Sequence, residues 1–143
     1  MIDINKQIDY WSKGAYSDIE TAELLQTGKK YVESLFFCHL AVEKIFKALV
    51  VKNTNQIAPK SHNLIYLCEL ANIVLTEDDN LFMSVLMKYQ LEGRYPEYYP
   101  KVPSNKTVND YLCKTKTLLE CLSGCYKYCA CLFAGFKTSR LTY

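Results

Sequence analysis

The sequence predicts an all-α protein, an antiparallel up-and-down bundle of about five helices, and three observations carry that expectation. The stretch Ser34–Lys52, SLFFCHLAVEKIFKALVVK, is apolar around almost the whole circumference of a helical wheel, as befits a helix walled in by others. On either side of it, apolar residues recur at steps of three and four, the spacing of a helix with one buried face. Between these segments lie short polar connections marked by glycine or proline, which fold successive helices back on one another.

From about Asn5 to Thr27, the residues Ile8, Trp11, Ala15, Ile19, Ala22 and Leu25 form one amphipathic stripe. Gly28 stands where a left-handed C-terminal cap is expected. The second helix should run from about Tyr31 to Lys52, and so short a connection makes it an antiparallel neighbour of the first. Its polar arc holds Glu43, Lys44 and Lys47, with His39 at the edge. Glu43 and Lys47 are four apart in the favourable order, a pair contributing about 0.3–0.5 kcal/mol if exposed.

Asn53–Lys60 reads as a loop. Ser61 or Asn63 can cap a short third helix carrying Leu64, Leu67, Leu70 and Ala71. Thr76 precedes three acids that suit a helix N-terminus, and a fourth helix follows with Phe82, Val85, Leu86 and Tyr89 inward, ending near Glu92-Gly93. Arg94–Pro103 contains three prolines and is expected to hold no regular helix. Its Tyr95, Tyr98 and Tyr99 are rings that can cover a core edge or stack on a base. A fifth helix starts at Asn105 with Val108, Tyr111, Leu112, Leu119 and Leu122 on one face; either Gly124 ends it or it continues through Cys125, Cys129 and Phe133.

Chain length and charge narrow the function. The 143 residues suit one domain, 1–143, and the net charge of +2 is too small to imply general nucleic-acid binding; nothing points to the reading of DNA sequence. Seven cysteines without a secretion signal fit free thiols in a reducing cytoplasm, and the longest apolar run is far below the roughly 20 residues that span a membrane. Cys121, Cys125 and Cys129 fall on one helical stripe with Cys131 nearby. Buried small hydrophobes explain that stripe better than zinc, whose structural sites usually pair closely spaced cysteines on turns, so no metal or cofactor is expected.

Arg94 and Arg140 are the two arginines, and arginine's planar fork is the group that grips two phosphate oxygens at once. Lysines set into a mostly buried helix hold anions more strongly than exposed ones. Lys44, Lys47 and Arg94 are therefore candidate nucleotide-binding residues, with Asp18 and Glu43 placed to orient the cations and Tyr95 to stack. The plainer alternative is that Lys44 and Lys47 reach along the helix to solvent while Arg94 pins its loop to Glu43 or Asp18. His39 is expected at the core edge, and His62 near a helix start.

Four segments, in order, resemble the HEPN family (higher eukaryote and prokaryote nucleotide-binding domains). They are Ala15, Asp18, Ile19 and Ala22 in the first helix; Ala41, Glu43, Lys44, Lys47 and Ala48 in the second; His62, Leu64 and Leu67 at the third; and Arg94-Tyr95-Pro96. The resemblance spans about Ile8 to Leu122 and leaves 123–143 as a cysteine-rich C-terminal helix or tail. It implies a helical, nucleotide-binding domain, commonly a homodimer, often beside a nucleotidyltransferase partner in a toxin–antitoxin pair; that partner would make Tyr95, Tyr98 or Tyr99 candidates for nucleotidyl modification. Some members are metal-independent ribonucleases with a histidine shortly after the arginine. Here the positions for that histidine hold Tyr99, Pro100 and Lys101, so the general acid/base is absent from its expected place. The catalytic candidates left for a ribonuclease are Arg94 with His62 or Tyr99. A non-catalytic interaction dimer is the third reading.

Overall fold

The structure, a computed structural model, describes the backbone of residues 2–142 and the side chains of residues 2–124. Its described elements are α1 (Ile4–Thr27), α2 (Tyr31–Thr54), α3 (Leu64–Leu70), α4 (Glu77–Met87), a single 3₁₀ turn (Pro96–Tyr98) and α5 (Asn105–Thr142). The protein is an all-α bundle. Helix α2 packs against each of the other four, and α1 and α3 also touch α5 and α4, respectively.

The centrality of α2 follows from its composition. Leu35, Val42, Ile45, Phe46 and Leu49 are buried on several sides of one helix, and burial of each such side chain stabilises by about 1.5–3 kcal/mol. Ala15, Ile19 and Ala22 of α1, Leu64 and Leu67 of α3, Phe82, Met83 and Leu86 of α4, and Val108, Leu112, Leu119 and Leu122 of α5 close the core around it. The small residues Ala15 and Ala22 let α1 approach closely, and there Ser34 Oγ donates a buried 2.7 Å hydrogen bond to the Ala22 carbonyl. At the rim, Lys116 of α5 pairs with Glu23 of α1 at 2.8 Å, and Tyr16 and Ser123 hydroxyls are 2.6 Å apart.

Capping follows the local chemistry. Asp3, Asn63 and Thr76 each accept a hydrogen bond from the backbone N–H three residues on, which fixes the starts of α1, α3 and α4. Asn63 is the α3 cap, while Ser61 Oγ accepts from Asn63 N–H.

Two expectations change. Gly28 is not left-handed; its φ is −79°, and Lys29 takes the left-handed position at φ 62°. Gly28 instead prolongs the helical turn, donating to the Leu24 carbonyl, and Lys30 N–H then closes onto the Leu25 carbonyl. Helix α4 stops at Met87 rather than near Glu92-Gly93, because Lys88, Tyr89 and Gln90 each bond three residues back and tighten the chain out of the α-helix. Gly93 then turns the chain at φ 73°, where a side chain would be strained. The fifth helix takes the longer of its two endings and continues past Gly124; the cysteine stripe's Cys125, Cys129 and Cys131 have side chains outside the described residues.

The cap at Lys29 is testable. Lys29→Gly removes the left-handed penalty of a side chain, so thermal unfolding should show a gain of about 1 kcal/mol. A loss of stability would show that the lysine side chain makes a compensating contact.

Candidate functional site

The charges of α2 divide between two neighbours. Glu43 is the hub of the first set. Its Oε2 accepts from Lys47 Nζ at 3.0 Å one turn further along, and its Oε1 lies 3.0 Å from His62 Nδ1, which arrives from the segment just before α3. The Glu43 and Lys47 side chains are only 5% and 7% exposed, so this is a buried ion pair rather than the exposed one its spacing suggests. The Lys47 ammonium also sits 5.1 Å from the centre of the Trp11 ring of α1, a cation–π contact. In such surroundings removing one partner typically costs about 3–5 kcal/mol, because the other charge is left buried and unpaired.

His62 is half-exposed. Its Nε2 lies 3.5 Å from Glu92 Oε2, so the imidazole bridges a buried carboxylate on α2 and an exposed one in the segment leading to Arg94. His39 differs from its expected place at the core edge: it is fully buried. Its Nδ1 is 3.8 Å from Glu43 Oε1, too far for a hydrogen bond, and among the described residues neither ring nitrogen has a hydrogen-bond partner. Burial lowers its pKa to about 4, against the pull of Glu43 in the other direction, so the ring is neutral at pH 7.

The second set joins α2 to α1. Lys44 Nζ lies 2.8 Å from Asp18 Oδ2, in ionic contact but off the line of a hydrogen bond. Asp18 is buried rather than an ordinary exposed helix residue. Desolvation raises its pKa above the ordinary carboxyl value, Lys44 opposes that shift, and Glu43 adds to it. Gly14, one turn before Asp18, gives the Lys44 stem its path, since a Cβ there would stand 3.1 Å from Lys44 Cδ.

Arg94 is held differently. It does not pin its loop to Glu43 or Asp18. Nε donates to the Gln90 carbonyl at 2.8 Å and an Nη to the Tyr98 carbonyl at 2.9 Å, so the guanidinium staples its own loop through main-chain oxygens. Among the described residues it is in no ion pair. Tyr95, Tyr98 and Tyr99 around it are exposed at 68%, 65% and 46%, standing away from the core edge. Glu43, Lys47 and His62 thus come together, Lys44 goes with Asp18, and the Arg94 loop connects to the first set through Glu92 and His62. The sequence reading missed Trp11, Gln90 and Glu92. Only Glu92 carried a signal, its closeness to Arg94 in the chain; the other two enter through tertiary packing and a main-chain oxygen.

Among the described residues no three His, Cys, Asp or Glu side chains group to hold a metal ion, and no helix is long and apolar enough to cross a membrane. The buried thiols Cys38 and Cys68 are pushed up to about 12 by desolvation, as expected of cysteine used as a small core residue.

Fold and charges together define an all-α bundle domain whose buried central helix gathers ionisable groups and whose loop arginine, Arg94, is in no ion pair among the described residues. The family model described as HEPN domain matches residues 8–125, and the chain belongs to that family. Membership implies a nucleotide-binding or ribonuclease-like module. No curated protein and no solved structure matches the chain.

The His39 environment yields a pH dependence. Between pH 6.5 and about 4 the unfolded chain binds a proton that folded His39 refuses, so stability falls as pH is lowered through that window. Relative to pH 7, the loss at pH 5 should be about 2 kcal/mol. His39→Leu, compared with wild type by urea unfolding at both pH values, should shrink the pH effect by that amount. An unchanged pH effect would assign the acid sensitivity to other groups around Glu43.

Proposed function

We propose that this protein is a nucleotide-binding module that takes its ligand as single-stranded RNA at the Arg94 loop. The observation that carries this reading is the contrast among the cations. Lys44 and Lys47 face acids at 2.8 and 3.0 Å, whereas Arg94 is fixed by two carbonyls with its charge uncompensated. A pre-set guanidinium grips phosphate oxygens with little entropy left to lose. Three exposed tyrosines within five residues then offer faces for successive bases, at about 1–3 kcal/mol per stacked base. In this reading Lys44, Lys47, Asp18 and Glu43 set the helix positions behind the loop, and Tyr95 contacts the ligand directly.

A ribonuclease is the second reading, favoured by one feature. His62 has a buried carboxylate on Nδ1 and a half-exposed ring, the arrangement of an oriented general base. His62 would then stand in for the histidine missing after Arg94. Family membership supports, in addition, a homodimer acting beside a nucleotidyltransferase partner in a toxin–antitoxin-like pair. Light scattering at micromolar concentration should give twice the chain mass; a monomer would remove the dimer from the proposal.

The binding experiment uses a fluorescent single-stranded oligoribonucleotide read by anisotropy, with chelator present. Arg94→Ala should weaken binding about tenfold or more, and Arg94→Lys should recover only part of it. Equal affinity in wild type and Arg94→Ala would sink the loop as the binding element. Gel analysis of the same samples tests the second reading, which requires shortened RNA in wild type and intact RNA in His62→Ala.

A further inference from the structure

Helices α3 and α4 are joined by residues 71–76 and pack together, and between them lies an open cavity of about 520 Å³, within the size range of binding clefts. Its walls follow helical spacing. Ile65 and Glu69 stand four apart on α3, and Glu77, Leu81 and Ser84 recur at steps of four and three on α4, so each helix gives one face to the groove. Glu69 and Glu77 adjoin the connecting segment, whereas Ile65 and Leu81 lie one turn further from it. The groove is acidic where the hairpin closes and apolar beyond.

The closed end is built before anything binds. Ile73 N–H donates to the Cys68 carbonyl at 3.1 Å, and the Cys68 thiol donates back to the Ile73 carbonyl at 3.2 Å. Asn53 of α2 holds the Ala71 carbonyl at 2.6 Å, and Thr76 caps α4. Leu75 is buried, yet its neighbour Val74 is 62% exposed, and Leu81 equally so; both line the cavity. Apolar side chains held in solvent by a fixed backbone, within one cleft, mark a surface that another molecule covers. With that backbone already fixed, little ordering entropy opposes docking.

Charge decides the kind of partner. Among the described residues no lysine or arginine lines the cavity, and neither Glu69 nor Glu77 is in an ion pair. Lys88, the next basic residue along that face of α4, comes four residues after Ser84, at the end away from the acids. Two uncompensated carboxylates repel RNA and anionic membrane surfaces, and they favour a cation beside the apolar contact. On each wall one turn, about 5.4 Å, separates acid from apolar residue, the spacing at which a docked helix presents side chains four apart.

We infer that the α3–α4 groove docks a cationic amphipathic helix of a partner protein. Its apolar side chains rest on Ile65, Val74 and Leu81, and its lysine or arginine meets Glu69 and Glu77. The groove uses none of the Arg94 loop, so this inference and the RNA-binding reading can each fail without the other.

The test is selection from a displayed library of random helical peptides against the full chain, followed by anisotropy of the labelled selected peptides. Selected sequences should carry Lys or Arg four residues from Leu, Ile or Phe, and their affinity should fall as salt rises. Leu81→Ser and Glu69→Lys should each weaken binding about tenfold or more, with thermal midpoints near wild type because both side chains are exposed. Replacing the peptide's cation by Glu should restore binding to Glu69→Lys while weakening it in wild type, a reversal that a misfolded variant cannot give. Light scattering should give Leu81→Ser the same mass as wild type. The inference is overturned if selection yields no cationic amphipathic sequence, or if both variants bind the selected peptides like wild type. A changed mass in Leu81→Ser would also overturn it, by giving the groove to a second copy of this chain.

Discussion

The Glu43 carboxylate, buried in the middle of α2, constrains much of the rest of the molecule. A charge in that position is tolerable only if cations and donors surround it, and Lys47 and His62 meet that need from the same helix and from the approach to α3. Satisfying it ties three parts of the chain together. Lys47 in turn leans on Trp11 of α1, and His62 reaches toward Glu92 in the segment after α4. Disturbing the Glu43 oxygens would therefore be felt at α1, at the start of α3 and at the base of the Arg94 loop.

Charges of this kind bring specificity of arrangement at a cost in stability that the apolar remainder of α2 offsets. Phe46, Leu35, Ile45 and Leu49 hold the helix in the core, and the polar set decides how its neighbours sit around it. Lys44 and Asp18 repeat the theme toward α1 with a looser pair, more open to solvent on the lysine side. The consequence for function is a division of labour among cations of the same sign. Lys44 and Lys47 of α2 are committed to acids, whereas Arg94 on the loop meets two carbonyl oxygens and, among the described residues, no acid. Fully buried His39, with neither nitrogen hydrogen-bonded among the described residues, marks where this polar set meets the core with least accommodation.

Much of this architecture was legible in the residues. The steps of three and four fixed five helices, Asp18, Glu43 and Lys47 were singled out as partners of one another or of nearby cations, and Asn63 and Thr76 marked helix starts by their side-chain chemistry. The errors share a cause. Gly28 looked like the left-handed residue because glycine is the default there, but hydrogen bonding at the helix end moved that conformation to Lys29. Tyr89 kept the helical spacing of α4, yet the chain had already tightened out of the α-helix at Lys88.

By itself the sequence determined an all-α bundle, the identity of its central helix and the short list of ionisable groups that matter, because periodicity and composition are local properties that survive any arrangement of the helices. Tertiary structure alone decided which charge meets which. Glu43 could have faced solvent with Lys47, and Arg94 could have reached either acid; packing buried the first pair and left Arg94 on its own loop. It also laid the Lys44 stem along α1, where Gly14 leaves room for it. Contacts between segments thirty residues apart depend on helix packing, and no local pattern in either segment encodes them.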